Sequence, residues 1–254
     1  MKTYKANAKV NIFLKITGKT AQGYHTLASR FMVVEDLFDT LYFSQKSQDG
    51  FEIVGDFGCN VEQNTIYKAY KALVEFTKEQ KIVTFMEQNA IVVQKQIPAF
   101  AGLGGGSSDA ATFLHMLNET LSLGMSVAEL AKVGLEVGAD VPFFVYGYKS
   151  ANVEGIGEIV TPFEEEPLSL ETYTPSIKIS TPAVYQCYSK SFYHPTKEAE
   201  QWLQKTSLDV LETTTLQEAN DLFLPAQTLY PELKNYAKEG WFFSGSGSSF
   251  FKKL

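Results

Sequence analysis

Residues 97 to 117 read IPAFAGLGGGSSDAATFLHML, and four of the five positions from Gly102 to Gly106 are glycine. Two serines and an aspartate follow, and a helical pattern starts at once. A strand, a run of bare backbone, hydroxyls and a helix start together make a phosphate cradle. Glycine lets N–H groups approach a polyanion closely, and the helix adds about half a positive charge at its N-terminus. The P-loop spacing G-x-x-x-x-G-K-[ST] is absent, and Ser107 stands where a dinucleotide fingerprint needs its third glycine. The remaining alternative is a tight strand-to-helix turn. A small-molecule kinase needs more than a cradle: a carboxylate at the acceptor hydroxyl and a cation at the transferred phosphoryl. Lys9 and Asn11 share one face of a strand, about 7 Å apart by strand rise, and Asp140 opens the segment Asp140-Val-Pro142. Taken singly, Lys9 reads as a solvated strand lysine and Asp140 as a helix cap.

The elements that position these groups follow from periodicity. Ala8, Val10, Ile12, Leu14 and Ile16 alternate with Lys9, Asn11, Phe13 and Lys15, which predicts a half-buried strand over 8–16. A polar loop and an apolar stretch from Phe31 to Phe43 come next. Asn64 caps a helical pattern carried by Ile66, Ala69, Tyr70 and Leu73. Residues 89–97 read as the strand that delivers the chain to the glycines. Ala110, Phe113, Leu114, Leu117 and Leu121 form one stripe that stops at Gly124. Ser126 and Glu129 form a capping box for a helix ending at Gly138, and Asp140 marks a fresh start. From about residue 150 turn residues and acids dominate, so the expected division is 1–150 and 151–254. Beyond it lie a short strand at Ile177 and Ile179, helical patterns over 197–205 and 226–239, and the terminal WFFSGSGSSFF. Strands and helices without regular alternation indicate an α+β fold.

The totals bound the function. The 254 residues suffice for one large or two modest domains, with ordinary hydrophobic (44%) and charged (20%) content. A net charge of −7 argues against nucleic-acid binding through a broad basic face, though a local anion site needs only a few donors. Cys59 and Cys187 show no metal-ligand spacing and fit a reducing compartment. Lysines break every apolar run near the N-terminus, and no apolar stretch approaches a membrane span. The expectation is a soluble cytoplasmic protein with no membrane partner.

Taken together, AKVNIFL, GYHTL, IPAFAGLGGGSSDAA, GADVPFF and FFSGSGSS resemble the motifs of the GHMP kinase superfamily, across residues 8 to 249. A-K-x-N-x-x-L followed by G-Y-H narrows the resemblance to the branch acting on a cytidine-diphosphate-linked methylerythritol in non-mevalonate isoprenoid precursor synthesis. The resemblance implies a two-domain architecture with the active site in the inter-domain cleft. It implies ATP as co-substrate; Mg2+ is expected with it, since phosphoryl transfer needs charge neutralised on the phosphate oxygens, and the sequence itself shows no dedicated metal cage. Lys9 and Asp140 would be the catalytic pair. Pro98, Ala99, Phe100, Ala101, Gly102, Leu103, Gly104, Gly105, Gly106, Ser107 and Ser108 would wrap the ATP phosphates. Asn11, Tyr24 and His25 would belong to the acceptor site, with Thr181 and Tyr185 of STPAVY as its other wall.

The chemistry is coherent, since aromatic faces suit a cytosine ring and polar groups read its edge. Away from the motif, His25 is a turn histidine after Gly23 and Tyr185 a packing residue. His115 is read as structural, His194 is assigned no role, and Lys95 is a candidate phosphate contact or a solvated lysine. Gly245-Ser-Gly247 would be a turn near the nucleotide loop. Phe100 departs from the small residue usual at its place, and the sequence ends at Leu254, five residues after Ser249, where the resemblance leads one to expect a further strand or helix. Two other functions compete. A kinase of homoserine, mevalonate or a sugar has no use for Gly23-Tyr24-His25, and a silent nucleotide-binding regulator has no use for an intact Lys9 and Asp140.

Overall fold

The computed structural model describes residues 2–254. Two long strands open the chain, β1 (Tyr4–Lys19) and β2 (His25–Gln45), and they pair with each other. The chain separates into two compact units. Among the described residues the first comprises 2–8, 35–99 and 104–147, and the second comprises 9–34, 100–103 and 148–254. Both long strands therefore run from one unit into the other, and so does the glycine loop.

In the first unit the C-terminal half of β2 meets β4 (Asn89–Gln94) antiparallel, with Leu41 opposite Val93 and Phe43 opposite Ile91. The two-residue β3 (Ile53–Val54) runs parallel to β4. Helices α1 (Thr65–Thr77), α2 (Gln80–Gln88), α3 (Gly105–Thr120), α4 (Val127–Leu135) and α5 (Val141–Tyr146) complete the unit. Their apolar stripes close one core: Leu41, Ile91 and Val93 meet Ile66, Leu73, Phe113, Leu117 and Val141, all buried. Each such side chain contributes about 1.5–3 kcal/mol when taken out of water. The sequence-predicted caps are present. Asn64 accepts from the Ile66 N–H, and Ser126 and Glu129 close a reciprocal capping box. The strand expected to run to residue 97 ends at Gln94. Beyond it Asp39 Oδ1 accepts from the N–H groups of Gln96 and Ile97, at 2.5 and 2.9 Å, so a side chain takes the bonds a sheet neighbour would have taken.

In the second unit the N-terminal half of β2 pairs antiparallel with β5 (Ser150–Gly155), which pairs with β6 (Ile159–Pro162). A separate sheet joins β7 (Leu170–Tyr173), β9 (Phe250–Lys253) and β8 (Phe242–Phe243) in that order. Between β7 and β8 come α6 (Thr181–Cys187), a π-helical turn at Tyr188–Phe192, and α7 (Ala199–Gln204) to α10 (Phe223–Leu229). Phe223, Phe243 and Phe250 pack edge to face, with Phe243 5.2 Å from each of the other two rings. Arg30 is fully buried. It reaches Asn152 Oδ1 and the carbonyls of Leu203 and Lys205, pairs with Glu165, and lies 3.3 Å from the Phe163 ring centre.

Three local expectations change. The strand over 8–16 is buried on both faces from Ala8 to Leu14, not one, because polar Lys9 and Asn11 are covered as well. The strand expected at Ile177 and Ile179 is absent. Leu170–Tyr173 forms one instead, against the chain end about eighty residues later, a pairing no local pattern announces. The helix expected over 226–239 breaks at Tyr230, because Pro231 lacks an N–H and disfavours helical backbone in the residue before it.

Candidate active site

The glycine loop joins β4 to α3. Phe100, Gly102 and Gly104 have φ of 56°, 77° and 71°, in the left-handed region. For two of the three the absent side chain removes the strain. Phe100 tolerates it at an exposed tip, two-thirds accessible. Gly104 occupies the N-cap of α3 and no side chain caps the helix. The loop is shaped by close backbone approaches. A Cβ on Gly106 would meet Thr65 Oγ1 at 3.1 Å, and that hydroxyl donates to the Gly106 carbonyl at 2.6 Å. A Cβ on Gly102 would fall less than 3.0 Å from the Ser244 carbonyl oxygen. Ser244 Oγ donates to the Gly102 carbonyl at 2.9 Å, and the Ser249 N–H to that of Ala101 at 3.0 Å. The terminal serine-glycine turn thus lies against residues 101–102, as expected for Gly245-Ser-Gly247.

Lys9 is buried, and its Nζ donates to Asn11 Oδ1 at 2.6 Å and sits 4.2 Å from the Phe31 ring centre. Its backbone N–H donates to the Leu103 carbonyl at 2.9 Å. Asn11 Nδ2 donates to Ser29 Oγ at 3.0 Å, and the Asn11 N–H to Ser244 Oγ at 3.3 Å. The lysine is therefore not a solvated strand residue. It is pinned by an amide whose own orientation is fixed by Ser29, and Ser244 links that strand to the glycine loop. Asp140 has its backbone at the N-cap of α5 but makes no capping bond with its side chain. Asp140 lies in the first unit and Lys9 in the second.

In the second unit His25 stands among aromatics. Its ring is 5.1 Å from Tyr185, 5.7 Å from Tyr188 and 6.4 Å from Tyr193, and Ser189 Oγ is 2.7 Å from Nε2. Burial, reinforced by the Lys19 charge, lowers the His25 pKa, so the imidazole is neutral at physiological pH and carries one donor and one acceptor nitrogen. Tyr24 is the exposed neighbour, 65% accessible, on a turn closed by the Thr20 N–H to the Tyr24 carbonyl. Thr181 Oγ1 lies 2.6 Å from Ser246 Oγ, which joins the STPAVY segment to the terminal turn. Sequence reasoning missed Tyr188 and Ser189, which a π-helical turn presents, Tyr193, which follows that turn, and Ser29, which only strand register places at Asn11. His115 serves the first unit's interior, with Nε2 2.9 Å from the Val145 carbonyl. Among the described residues no group of three or more His, Cys, Asp or Glu is arranged to hold a metal.

Residues 64–148 match the family described as GHMP kinases N terminal domain. The fold agrees with solved structures. One 4-(cytidine 5'-diphospho)-2C-methyl-D-erythritol kinase aligns with 100% of this chain and 90% of its own, at 30% identity and a TM-score of 0.77. A mevalonate kinase aligns with 100% of this chain and 91% of its own, at 15% identity and a TM-score of 0.61, which shows the shared fold alone. The family match and the full-length structural likeness thus define a small-molecule kinase of the GHMP class. Among curated relatives, the 4-diphosphocytidyl-2-C-methyl-D-erythritol kinase of Sulfurimonas denitrificans is 57% identical over 99% of this chain and 97% of its own length. The enzyme of that name from Campylobacter jejuni is 41% identical over 98% of each. The chain belongs to the 4-diphosphocytidyl-2-C-methyl-D-erythritol kinase family.

Proposed function

We propose that the protein transfers the γ-phosphoryl group of ATP to a hydroxyl of 4-diphosphocytidyl-2-C-methyl-D-erythritol, giving the 2-phosphate. Full-length identity to kinases of that name supports the reaction. The observation that carries the choice of acceptor is the enclosure of His25 by Tyr185, Tyr188 and Tyr193, with Ser189 fixing one imidazole nitrogen. An aromatic wall beside a neutral donor–acceptor ring suits a flat base and has no counterpart to meet on homoserine or mevalonate.

In this reading the glycine loop and the first N–H groups of α3 hold the phosphates, and the acceptor hydroxyl lies at Asp140. Asp140 takes or orients the hydroxyl proton, the oxygen attacks the γ-phosphorus, and the bond to the ADP oxygen breaks. Lys9 lowers the hydroxyl pKa and meets the charge that grows on the transferred group. Its geometry is set in advance by Asn11, so little reorganisation is required. Tyr24 and Tyr185 stack the base, His25 reads its edge, and Asn11 and Thr181 complete the acceptor site. Magnesium would enter with ATP and neutralise phosphate charge. That ion keeps several waters and needs few protein ligands. The free cysteines Cys59 and Cys187 suit a reducing cytoplasm. The test is phosphorus NMR of a reaction with ATP and the cytidine-linked acceptor. A new phosphomonoester resonance, appearing as ADP forms, supports the reading. ATP hydrolysis indifferent to the acceptor contradicts it.

A further inference from the structure

Behind the glycine loop three charged side chains of the first unit meet where hydrophobic residues would pack more cheaply. Lys95 Nζ donates to Asp39 Oδ2 at 2.5 Å and to Asp109 Oδ2 at 2.7 Å. Asp39 is fully buried and Asp109 nearly so. Asp39 comes from β2, Lys95 follows β4, and Asp109 lies in the first turns of α3. Two carboxyls share one ammonium, and Asp109 Oδ1 has no hydrogen-bond partner among the described residues. Desolvating such a group costs stability that an apolar trio would not. Its electrostatics agree: burial pushes the Asp109 carboxyl up to about 7, Lys95 pulls it back, and Asp39 raises it further.

The cluster's remaining bonds show what it holds. Asp39 Oδ1 fixes the N–H groups of Gln96 and Ile97, the residues that enter the loop. A Cβ built on Gly105, the first residue of α3, would meet Ile97 Cγ2 at 2.9 Å and Lys95 Nζ at 3.6 Å. Entry and exit of the loop are therefore in contact, and the ammonium sits beside the exit. Lys95, a candidate phosphate ligand from sequence, has its charge engaged by two carboxyls instead.

We propose that Asp39 and Asp109 are positioning residues for nucleotide binding, which clip the entry of the glycine loop to the first turn of α3 through Lys95. The proposal rests on the reading of that loop as the ATP cradle. A loop whose mouth is closed beforehand loses less freedom when phosphates dock, so the clip acts on ATP affinity and leaves acceptor recognition alone.

The test uses Lys95→Met, Asp109→Asn and Lys95→Arg in the full chain. Affinity for a fluorescent ATP analogue, KM for the acceptor, kcat and thermal melting are read for each. Lys95→Met and Asp109→Asn should raise the analogue Kd by roughly tenfold, the loss expected for a charge-assisted hydrogen bond. Acceptor KM should stay within about twofold, and Lys95→Arg, which keeps two donors for two carboxyls, should recover most of the affinity. Equal losses for ATP and acceptor, or lower melting with unchanged ATP affinity, would overturn the clip while leaving the ATP reading intact. A wild-type protein that does not bind the analogue would overturn that reading and the clip with it.

Discussion

Gly102→Ala separates two costs that the loop avoids by using glycine. The first is conformational: at φ of 77° an L side chain is strained by about 1–2 kcal/mol. The second is steric. The new methyl would lie under 3.0 Å from the Ser244 carbonyl oxygen and 3.2 Å from that of Gly247, both backbone atoms that cannot swing aside. Relieving that overlap means moving the loop or the terminal turn, an overpacking cost of about 1–3 kcal/mol. Gly124 supplies the control, since its φ of 71° is almost the same and nothing lies within 4 Å of its absent Cβ. Gly102→Ala should therefore cost about 2–5 kcal/mol in urea denaturation and Gly124→Ala only about 1–2. Because the displaced segment leads into Gly104 and the start of α3, Gly102→Ala should also weaken binding of a fluorescent ATP analogue, and Gly124→Ala should not. Equal losses of stability at the two positions, or full ATP affinity in Gly102→Ala, would refute the close approach between loop and terminal turn.

Three further outcomes follow from the site. Asp140→Asn should leave ATP binding intact and lower kcat by roughly 10²–10⁴, the range of a general base; retention of more than half the activity removes Asp140 from that role. Tyr24→Ala should raise KM for the acceptor far more than for ATP. Because Tyr24 is exposed, its melting temperature should scarcely change, and equal effects on both substrates would make it a structural residue. The Asp109 carboxyl predicts a pH dependence of stability, with Lys95 and Asp39 as the charged groups that face it. Its folded pKa of about 7 lies above the unfolded value, so between the two the folded protein holds a proton that the unfolded chain has released. Stability from this group is present at low pH and is lost as pH rises through about 7. Thermal melts of Asp109→Asn against wild type should favour the variant increasingly as pH rises from the ordinary carboxylate range to about 7 and level off above it, and a flat difference across that range would contradict it.

How much could be read from sequence depended on the range of the contacts involved. The glycine loop, the stripe of α3, the Asn64 cap and the Ser126–Glu129 box are local, and each is present in the structure. The burial of Lys9 was not legible, because an isolated strand lysine carries no sign that Asn11 will pin it or that Ser29 will orient Asn11. Asp39 carried no signal at all. Its partners lie 56 to 58 residues away, and only the register of β2 on β4 brings it to them. Ser189 and Tyr193 were equally silent, since the π-helical turn that carries the first and leads into the second has no pattern of its own. Where proline or a distant strand decided the outcome, as at Tyr230 and at Leu170–Tyr173, periodicity alone pointed to the wrong element.

The central claim is that this kinase chooses its acceptor by reading a cytosine. Its most direct test is kcat/KM with ATP for 4-diphosphocytidyl-2-C-methyl-D-erythritol, the uridine-linked analogue, mevalonate, homoserine and galactose. A site that pairs with a base through buried polar groups rejects the wrong partner by roughly 10⁴ or more. Turnover is expected on the cytidine compound alone, with the uridine analogue suppressed by that order. Comparable turnover on the uridine analogue, or on any acceptor without a base, would contradict it.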